Sequence, residues 1–372
     1  MKIIFALWST FRTGGTNAIF NVADRLALRG HKVQVISLSN KNFSWFPFKS
    51  SLSLYCPESD IIKHPILFGG RLSELKAFGL PMEKLNLRID RQKTLTRALN
   101  EHSADADVVV ATFFETAPSV YRMNQENIAK FYYIQHFESV FFNSQYSRHR
   151  VHETYFLPLE WIVNSTWANN RLSELTGKTG PVVLPGTDHA VFYPRKVERD
   201  EKHKTIVALG KSSEVKGVKY LFEALVTVAK RINNVKLVLY GNEPELKDAS
   251  PIDTEYVLSP TNDILAELYS KADVVVTPSM YESAPLPPLE AMACGSPVVT
   301  TRFGTEDYCI DRVNSLVVPP KDPVALAEAI YKVLTDDSLS EALIEKGIET
   351  SKKRTWEDTA SNFEKILMDS LR

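Results

Sequence analysis

Short apolar runs alternate along most of the chain with stretches whose apolar residues recur at helical spacing. Residues 2–8 form one such run, and a glycine-containing loop follows. A helix is predicted over residues 17–29, because Ile19, Val22 and Leu26 recur there at the spacing of an amphipathic helix. Residues 33–38 form the next apolar run, after Gly30. This order of strand, helix and strand predicts a βαβ unit, and therefore a parallel sheet.

The same alternation continues to about residue 184. It predicts strands at 107–111, 131–134, 161–164 and 182–184, a helix at 91–101, and a helix capped by Ser165 or Thr166 that runs through Leu175. Between residues 41 and 91 the pattern loosens, and Gly69-Gly70 and Gly79-Leu80-Pro81 predict turns. The first half of the chain therefore reads as one α/β domain.

A second set of alternating elements begins after a connection at residues 186–194. The stretch 195–204 is charged and poor in apolar residues, which is typical of a domain boundary. The pattern then predicts strands at 205–209, 235–240, 274–276 and 298–300, and helices at 218–232, 264–270, 323–334, 338–351 and 355–371. Two successive sets predict two doubly wound parallel sheets facing each other across a cleft.

Length and charge narrow the class of protein. A chain of 372 residues favours two domains, and a net charge of −1 without a basic block argues against nucleic acid as the main partner. Cys56, Cys294 and Cys309 are scattered, so we expect reduced thiols rather than a disulfide framework or a zinc site. We interpret the apolar N-terminus as a first strand, and no apolar run reaches the roughly 18 residues of a membrane-spanning helix.

One stretch, residues 273–301, joins two predicted strands through a helix and places two carboxylates beside it. Pro287 and Pro288 suit the first positions of that helix, Glu290 is expected in its first turn, and Gly295 ends it. Glu282 lies in the preceding loop, at a strand-to-helix junction where open α/β sheets bind ligands. The carboxylates could form an acid/base pair or accept hydrogen bonds from sugar and ribose hydroxyls. Neither carboxylate requires a ligand, however. The helix dipole could stabilise Glu290, and Glu282 could simply be exposed to solvent.

Other candidate residues follow strands in both halves. Lys211 and Lys216 lie on the loop after the strand at 205–209, where ammonium groups suit phosphates, although ordinary surface lysines would give the same pattern. The pair Gly14-Gly15 stands at the start of the first helix and would let the backbone approach a ligand. His136 follows the strand at 131–134, where site residues gather, but a lone histidine could also be structural.

These residues together resemble a known family. The Glu-x7-Glu signature of family-4 glycosyltransferases, which are retaining enzymes of the GT-B fold, is similar to the string Pro278-Ser279…Tyr281-Glu282-Ser283…Leu286-Pro287-Pro288-Leu289-Glu290-Ala291-Met292-Ala293-Cys294-Gly295-Ser296-Pro297-Val298-Val299. Further motifs resemble Gly14-Gly15, Gly210-Lys211…Lys216-Gly217, Gly304-Thr305-Glu306, Asn314-Ser315-Leu316-Val317-Val318-Pro319 and Trp356-Glu357. The likeness is strong over about residues 205–371 and thinner over the first half.

The resemblance implies two Rossmann-like domains. Residues 1–190 would be the acceptor-side domain and residues 191–356 the nucleotide-sugar domain, with a final helix at about 357–372 packing back on the first. It also implies that Glu282 contacts the donor sugar near its reacting carbon and that Glu290 holds the ribose. Lys211 and Lys216 would neutralise the leaving diphosphate, and His136 would face the donor sugar, so Glu282, His136 and Lys216 would be closest to the reaction.

The remaining donor contacts follow from the same resemblance. The loop at Gly14-Gly15 would approach the diphosphate or the acceptor. Ser283 and the amide of Leu286 would belong to the donor site, and the backbone at Val257-Leu258 would form a base-binding edge.

The chain departs from the family's pattern at three places. Lys211 replaces a usual arginine, which exchanges a bidentate fork for a point charge. The pair Ala284-Pro285 replaces a usual Phe-Gly, and Pro285 has no N–H to offer a phosphate. The turn Gly241-Asn242-Glu243-Pro244 lacks the second glycine of a usual Gly-x-Gly, so we expect it to be shaped differently.

The expected function is retaining transfer of a sugar from a UDP-, GDP- or dTDP-linked donor to a hydroxyl of a glycan or lipid-linked acceptor, in cell-surface polysaccharide or glycolipid biosynthesis. The resemblance also implies that the donor binds without a metal, as is usual for GT-B enzymes, so no metal or other cofactor is expected. A cytoplasmic protein is expected, with peripheral contact between the N-terminal domain and a membrane left open. A nucleotide-sugar epimerase or hydrolase of the same fold, and a non-catalytic nucleotide-sugar-binding protein, are the alternatives. Donor, acceptor and oligomeric state stay open.

Overall fold

The computed structural model describes residues 1–38, 45–57 and 82–372, with the backbone alone over 82–90. The turns predicted at Gly69-Gly70 and Gly79-Leu80-Pro81 lie outside these residues. The chain divides into two compact units. Unit 1 comprises Met1–Val163, Arg171–Val183 and Ala360–Arg372, and unit 2 comprises Asn164–Asn170 and Leu184–Thr359.

Unit 1 contains, within the described residues, a six-stranded parallel sheet. Its strands are β1 (Lys2–Leu7), β2 (Lys32–Ser37), β3 (Ser53–Tyr55), β4 (Val108–Ala111), β5 (Ala129–Ile134) and β6 (Glu160–Val163). They lie in the order β3-β2-β1-β4-β5-β6, so the chain passes to the other side of β1 at β4. The central strands are buried on both faces, which explains their continuous apolar sequences.

Helices of unit 1 cover this sheet. They are α1 (Gly14–Leu28), α2 (Met82–His102), α3 (Ala117–Tyr121) and α4 (Gln145–Tyr155), and α5 (Thr166–Thr176) is divided between the units. On α1, Phe20 contacts three aromatic rings, those of Trp45, Phe46 and Phe48, at centroid distances of 5.4, 5.4 and 5.0 Å. These aromatic residues therefore extend the core of unit 1.

Unit 2 has a second parallel sheet, again six-stranded in the described part of the chain. Its strands are β7 (Lys204–Gly210), β8 (Val235–Gly241), β9 (Thr254–Leu258), β10 (Val274–Thr277), β11 (Val298–Thr301) and β12 (Leu316–Val318). Its helices are α6 (Val218–Ala229), α7 (Asn262–Lys271), α8 (Leu286–Ala293), α9 (Pro323–Thr335) and α10 (Asp337–Lys352), and α11 (Trp356–Ser370) begins in unit 2 and ends in unit 1. Neighbouring residues of one strand belong to different cores, so the sheet is packed on both faces.

The strand order of unit 2 fixes where its loops meet. The order is β12-β11-β10-β7-β8-β9, so the chain leaves β7 in one direction and returns to its other side at β10. At such a topological switch point the two connecting loops diverge and leave a crevice at the carboxyl ends of the strands, where ligands bind in open α/β sheets. In unit 1 the corresponding point lies between β1 and β4.

The structure differs from the sequence predictions at several elements. Val182 forms an isolated bridge with Val163, so the predicted strand at 182–184 is absent among the strands described. The pattern missed β3, β9 and β12, which lie at the edges of the two sheets and are not buried along their whole length. The first helix begins at Gly14, three residues earlier than predicted, because the Thr13 side chain accepts a hydrogen bond from the Thr16 N–H and caps it.

Two further sequence expectations concern single features. Cys294 and Cys309 are buried and Cys56 is half-buried, and none of the three belongs to a disulfide bond in the described part of the chain. No helix within residues 1–38, 45–57 and 82–372 combines the length and the apolarity that crossing a membrane requires.

The last helix contributes to the core of unit 1. Phe363 on α11 is fully buried, and its ring centroid lies 5.9 Å from that of Phe5 and 5.2 Å from that of Tyr133. Leu367 is buried one turn later. Phe363 and Leu367 are therefore part of the first unit's hydrophobic core.

Replacing Phe363 with alanine should lower the free energy of unfolding by about 3–5 kcal/mol, because it leaves a cavity in this core. Met368→Ala, on the same helix but at a residue 45% exposed, is the control and should change that free energy by less than about 0.5 kcal/mol. Urea unfolding followed by circular dichroism measures both. Equal losses for the two variants would contradict the packing of α11 described above.

Candidate functional site

The loops after β7 and β10 touch each other at the switch point of unit 2. A short 3₁₀ helix, Glu214–Lys216, follows β7, and the carbonyl of Val215 accepts a hydrogen bond of 2.7 Å from the Met280 N–H. Gly217 has φ of +70°, and a Cβ atom there would lie 2.0 Å from the Pro278 carbonyl oxygen. We call residues 211–217 and 278–286 the switch-point site. The contact between its two loops requires glycine at position 217.

Lys216 and Glu282 form an ion pair in the switch-point site. The Lys216 Nζ lies 2.6 Å from the Glu282 Oε1, and the Ser279 hydroxyl donates to the same oxygen at 2.8 Å. These contacts hold both groups in place. The Lys216 and Glu282 side chains are 28% and 15% exposed, so both remain accessible from solvent. Two residues that the sequence analysis proposed separately, Lys216 and Glu282, are therefore brought together across 66 positions of the chain.

The backbone of Glu282 is held by the loop after β11. A Cβ atom on Gly304, where φ is +88°, would lie 2.1 Å from the Glu282 carbonyl oxygen. The Glu282 N–H donates to the Phe303 carbonyl at 3.3 Å. The Glu306 carboxylate accepts from the Phe303 and Gly304 N–H groups at 3.2 and 2.5 Å. Glu306 thus shapes the turn on which Glu282 rests, a function that its motif position alone did not reveal.

Ser283 points away from solvent into a buried hydrogen-bond network. Its hydroxyl donates to the Asn164 Oδ1, so in the 2.9 Å contact between Ser283 and Ser165 the Ser165 hydroxyl must be the donor. The Ser165 oxygen in turn accepts from the Ala168 N–H and caps α5. Because this network uses the hydroxyl of Ser283, a ligand would meet the backbone of this residue rather than its side chain.

The N-terminus of α8 offers a ligand few N–H groups. The helix begins at Leu286 with Pro285 at the N-cap, and Pro287 and Pro288 follow. Three of these four residues lack an N–H, so the positive end of the helix can donate through Leu286 alone at these positions. The Tyr308 hydroxyl donates a hydrogen bond to the Pro285 carbonyl and so fixes this turn.

Glu290 lies deeper in the helix than the sequence predicted. Because α8 begins at Leu286, Glu290 is its fifth residue, and the first turn contains no acidic residue. The expectation of a first-turn carboxylate stabilised by the dipole was therefore wrong. The residue is 8% exposed. Burial raises the pKa of the Cys294 thiol to about 12, and the charge of Glu290 adds to that shift, so the carboxylate lies close to Cys294.

Lys211 and the predicted base-binding edge lie at neighbouring strand ends. Lys211 is exposed and follows the last residue of β7. The parallel register pairs Gly210 with Gly241, and Gly241 with Leu258, so β7, β8 and β9 end level with one another. Val257 is half-buried and Leu258 is 61% exposed. The structure thus places the lysine and the edge two strands apart on one side of the sheet.

In unit 1, the glycine pair and the histidine loop lie beside each other. Gly14 and Gly15 are the first two residues of α1, where N–H groups have no carbonyl partner within the helix. A Cβ atom on Gly15 would lie 3.5 Å from the Oε1 of Gln135, the residue before His136. His136 is half-buried, with its ring centroid 4.5 Å from that of Phe141. The glycine turn and the loop after β5 therefore form one face.

A buried carboxyl group that the sequence did not reveal lies two residues beyond His136. Glu138 is 2% exposed, and its Oε2 accepts from the Phe114 N–H at 2.9 Å and from the Tyr132 hydroxyl at 2.6 Å. Burial raises its pKa to about 8, since the two hydrogen bonds only partly offset the loss of hydration and Glu115 adds a like charge. Glu138 therefore links the loops after β4 and β5 mainly as a neutral acid at pH 7.

The described residues contain no group of three or more His, Cys, Asp and Glu side chains positioned to hold a metal ion. Among the sequence-predicted residues, Gly14, Gly15 and His136 belong to unit 1. The others belong to unit 2 and lie at the carboxyl ends of β7, β9 and β10 or on α8.

The sequence similarities of the chain are to glycosyltransferases. Residues 203–336 match the family model described as glycosyl transferases group 1. An uncharacterized glycosyltransferase of Methanocaldococcus jannaschii is 30% identical over 199 residues, which are 50% of this chain and 50% of that protein. The chain spans about half the length of the curated relatives that it matches.

Solved structures resemble the whole chain. Sucrose-phosphate synthase from Thermosynechococcus elongatus has a TM-score of 0.80 at 19% identity, covering 99% of both chains. HepE of Anabaena, solved in complex with UDP-glucose, has a TM-score of 0.78 at 15% identity, covering 99% of this chain and 100% of the other. Together with the two six-stranded parallel sheets, this similarity confirms the predicted GT-B fold of two Rossmann-like units.

Gly217→Ala should destabilise the protein strongly, because the new Cβ adds a clash with the Pro278 carbonyl to the strain of a left-handed backbone. Gly295→Ala is the matched control, since its φ of +77° is similar but the nearest atoms to its Cβ would lie 3.5 Å away. The control should lose about 1–2 kcal/mol and Gly217→Ala clearly more. Chemical unfolding compares them, and an equal loss would argue against the loop contact.

Glu138 should make unfolding stability depend on pH. The pKa of its carboxyl is about 8 in the folded state against 4.5 ordinarily, so its destabilising effect is absent below pH 4.5 and grows as pH rises to about 8. Glu138→Gln mimics the neutral acid, so the variant should match the wild type near pH 5 and melt at a higher temperature near pH 9. Glu153→Gln, at an exposed residue of the same unit, is the control. Parallel melting curves for wild type and Glu138→Gln across this range would contradict the raised pKa.

Proposed function

We propose that this protein is a retaining glycosyltransferase that uses a nucleotide-diphosphate sugar. The observation that supports the proposal most directly is the Lys216–Glu282 ion pair at the switch point of unit 2. Both residues lie within the segment that matches the glycosyl transferases group 1 model. HepE, a structural neighbour, was solved with UDP-glucose.

The chemistry requires a site that stabilises a leaving diphosphate. Lys216 is held beside the switch point, Lys211 extends from the same loop, and the Leu286 N–H is the donor left at the start of α8. We assign these three groups to the phosphates, because fixed positive groups stabilise charge that develops as the bond breaks. Pro285 has no N–H, so this turn offers the phosphates one amide fewer than a turn with glycine at that position would. The two lysines therefore provide a larger share of the stabilisation.

Glu282 is assigned to the sugar and Glu290 to the ribose. The ion pair fixes the carboxylate of Glu282, which then accepts hydrogen bonds from sugar hydroxyls near the reacting carbon. Glu290, on the second turn of α8, accepts from ribose hydroxyls. The backbone at Ser283 and at Val257-Leu258 completes the donor contacts, because the Ser283 hydroxyl is used in the buried network.

The transfer itself needs no protein nucleophile. The bond between the anomeric carbon and the diphosphate oxygen breaks, and the acceptor oxygen bonds to that carbon on the same face of the sugar. The acceptor proton passes to a phosphate oxygen, so the products are the glycosylated acceptor and the nucleoside diphosphate. The charge is stabilised by lysines, so transfer proceeds without a metal and should survive EDTA.

For unit 1 we propose a role with the acceptor and the reacting sugar. The N–H groups of Gly14 and Gly15 suit an anionic group at the start of α1. His136, on the loop beside Gln135, would contact the donor sugar. The acceptor is a hydroxyl of a glycan or a lipid-linked glycan in cell-surface polysaccharide or glycolipid biosynthesis, and the compartment proposed is the cytoplasm.

Lys216→Ala should weaken binding of a nucleoside diphosphate by about tenfold or more, because it removes an oriented charge worth roughly 1.5–3 kcal/mol. Lys219→Ala is the matched control, since that lysine lies three residues on with its side chain 77% exposed, and it should leave the dissociation constant unchanged. Titration calorimetry with UDP, GDP and dTDP measures the constant and identifies the nucleotide.

Glu282→Gln tests the sugar contact, and it should lower the turnover of the sugar donor more than it weakens binding of the nucleoside diphosphate alone. Product analysis with donor and acceptor reports transfer, and donor with water alone reports hydrolysis or epimerisation. Rapid turnover of the donor in water, without an acceptor, would contradict the assignment as a transferase. Unchanged activity in both Lys216→Ala and Glu282→Gln would refute the site.

A further inference from the structure

Both peptide groups that flank Lys211 are hydrogen-bonded to residues outside its loop. The Gly210 carbonyl, which precedes Lys211, accepts from the Tyr256 hydroxyl at 3.0 Å. The Ser212 N–H, which follows it, donates to the Glu243 Oε2 at 2.7 Å. The Glu243 N–H in turn donates to the Tyr256 hydroxyl at 2.8 Å. Tyr256 and Glu243 therefore fix the backbone on each side of the lysine.

The packing at these strand ends leaves the tyrosine little freedom. A Cβ atom on Gly210 would lie 2.7 Å from the Tyr256 Cε2, and a Cβ atom on Gly241 would lie 2.8 Å from the Tyr256 Oη. The phenol thus lies across the ends of β7 and β8, in space that exists because both positions are glycine. Its hydroxyl can reach the Gly210 carbonyl and the Glu243 N–H at the same time.

Glu243 occupies a turn position that does not need glycine. Its φ of −130° is negative, so the turn gains a side chain without the strain of a left-handed backbone. Hydrogen bonds from Ser212 lower the pKa of the Glu243 carboxyl, and the nearby charge of Lys211 lowers it further. The group is therefore a carboxylate at neutral pH, which makes the bond to the Ser212 N–H charge-assisted.

We propose that Glu243 and Tyr256 are positioning residues that aim Lys211 at the diphosphate of the nucleotide sugar. The inference rests on the proposed function, since it takes the diphosphate as the group that Lys211 binds. Binding must order both the long, flexible side chain of Lys211 and the loop that carries it, and both cost free energy. Fixing both adjacent peptide groups removes the backbone part of that cost before the ligand arrives.

The first measurement concerns the loop without a ligand. Amide hydrogen exchange at residues 210–213 should be at least several-fold faster in Glu243→Ala and in Tyr256→Phe than in the wild type. Glu243→Gln keeps an acceptor for the Ser212 N–H and should exchange close to the wild-type rate. Glu245→Ala changes the same residue type two positions on, at an exposed glutamate, and should change nothing. Unaltered exchange in Glu243→Ala would overturn the proposal.

The second measurement asks whether Glu243 acts through Lys211. Calorimetry with a nucleoside diphosphate should show binding about five- to tenfold weaker in Glu243→Ala, and little further weakening when this change is added to Lys211→Ala. Additive effects of the two substitutions would overturn the positioning role even if the loop exchange responds. The positioning role would also be overturned if Glu243→Gln bound the nucleoside diphosphate as weakly as Glu243→Ala. The negative charge of Glu243 would then matter rather than its hydrogen bond to the Ser212 N–H.

The two proposals fail in different ways. A wild-type protein that binds none of the three nucleoside diphosphates refutes the proposed function, and the positioning role of Glu243 and Tyr256 falls with it. A wild-type protein that binds one of them, while Glu243→Ala binds equally well, refutes the positioning role and leaves the proposed function standing.

Discussion

The switch-point site depends on direct contact between two stretches of backbone. Without a side chain at Gly217, the loop after β7 lies against the Pro278 carbonyl, and without one at Gly304 the loop after β11 lies against the Glu282 carbonyl. Three loops from adjacent strands are thereby fixed against each other at distances that no other residue permits. The ion pair of Lys216 and Glu282 is a consequence, because each side chain extends from a backbone whose position is already set.

The sequence could predict the elements that have a strong period and the residues that lie at their ends. Parallel strands buried on both faces are continuous apolar runs, so β1, β4, β7 and β10 were recognisable, and their carboxyl ends located Lys216 and Glu282. The strands β3, β9 and β12 were not predicted, because edge strands that are only partly buried need not form continuous apolar runs. Tyr256, which lies on β9, was missed for that reason.

The pattern of apolar and polar residues could not predict contacts between residues that are distant in the sequence. Nothing in the string around Ser283 indicates that its hydroxyl bonds to Asn164, 119 positions away. Glu138 follows a strand as His136 does, but its raised pKa comes from being enclosed by Tyr132 and the loop after β4. The start of α8 was misplaced by one residue because consecutive prolines fit several helical positions, and this shifted Glu290 out of the first turn.

The prolines at the start of α8 also affect the chain before it folds. Pro285, Pro287 and Pro288 each fix one backbone angle, so the unfolded chain around Leu286 samples fewer conformations than an ordinary sequence would. Folding this turn therefore loses less conformational entropy, which offsets part of the cost of an N-cap without a side-chain hydrogen bond. The turn gives up three amide donors and gains rigidity, so a substrate that binds there meets a backbone with little conformational freedom left to lose.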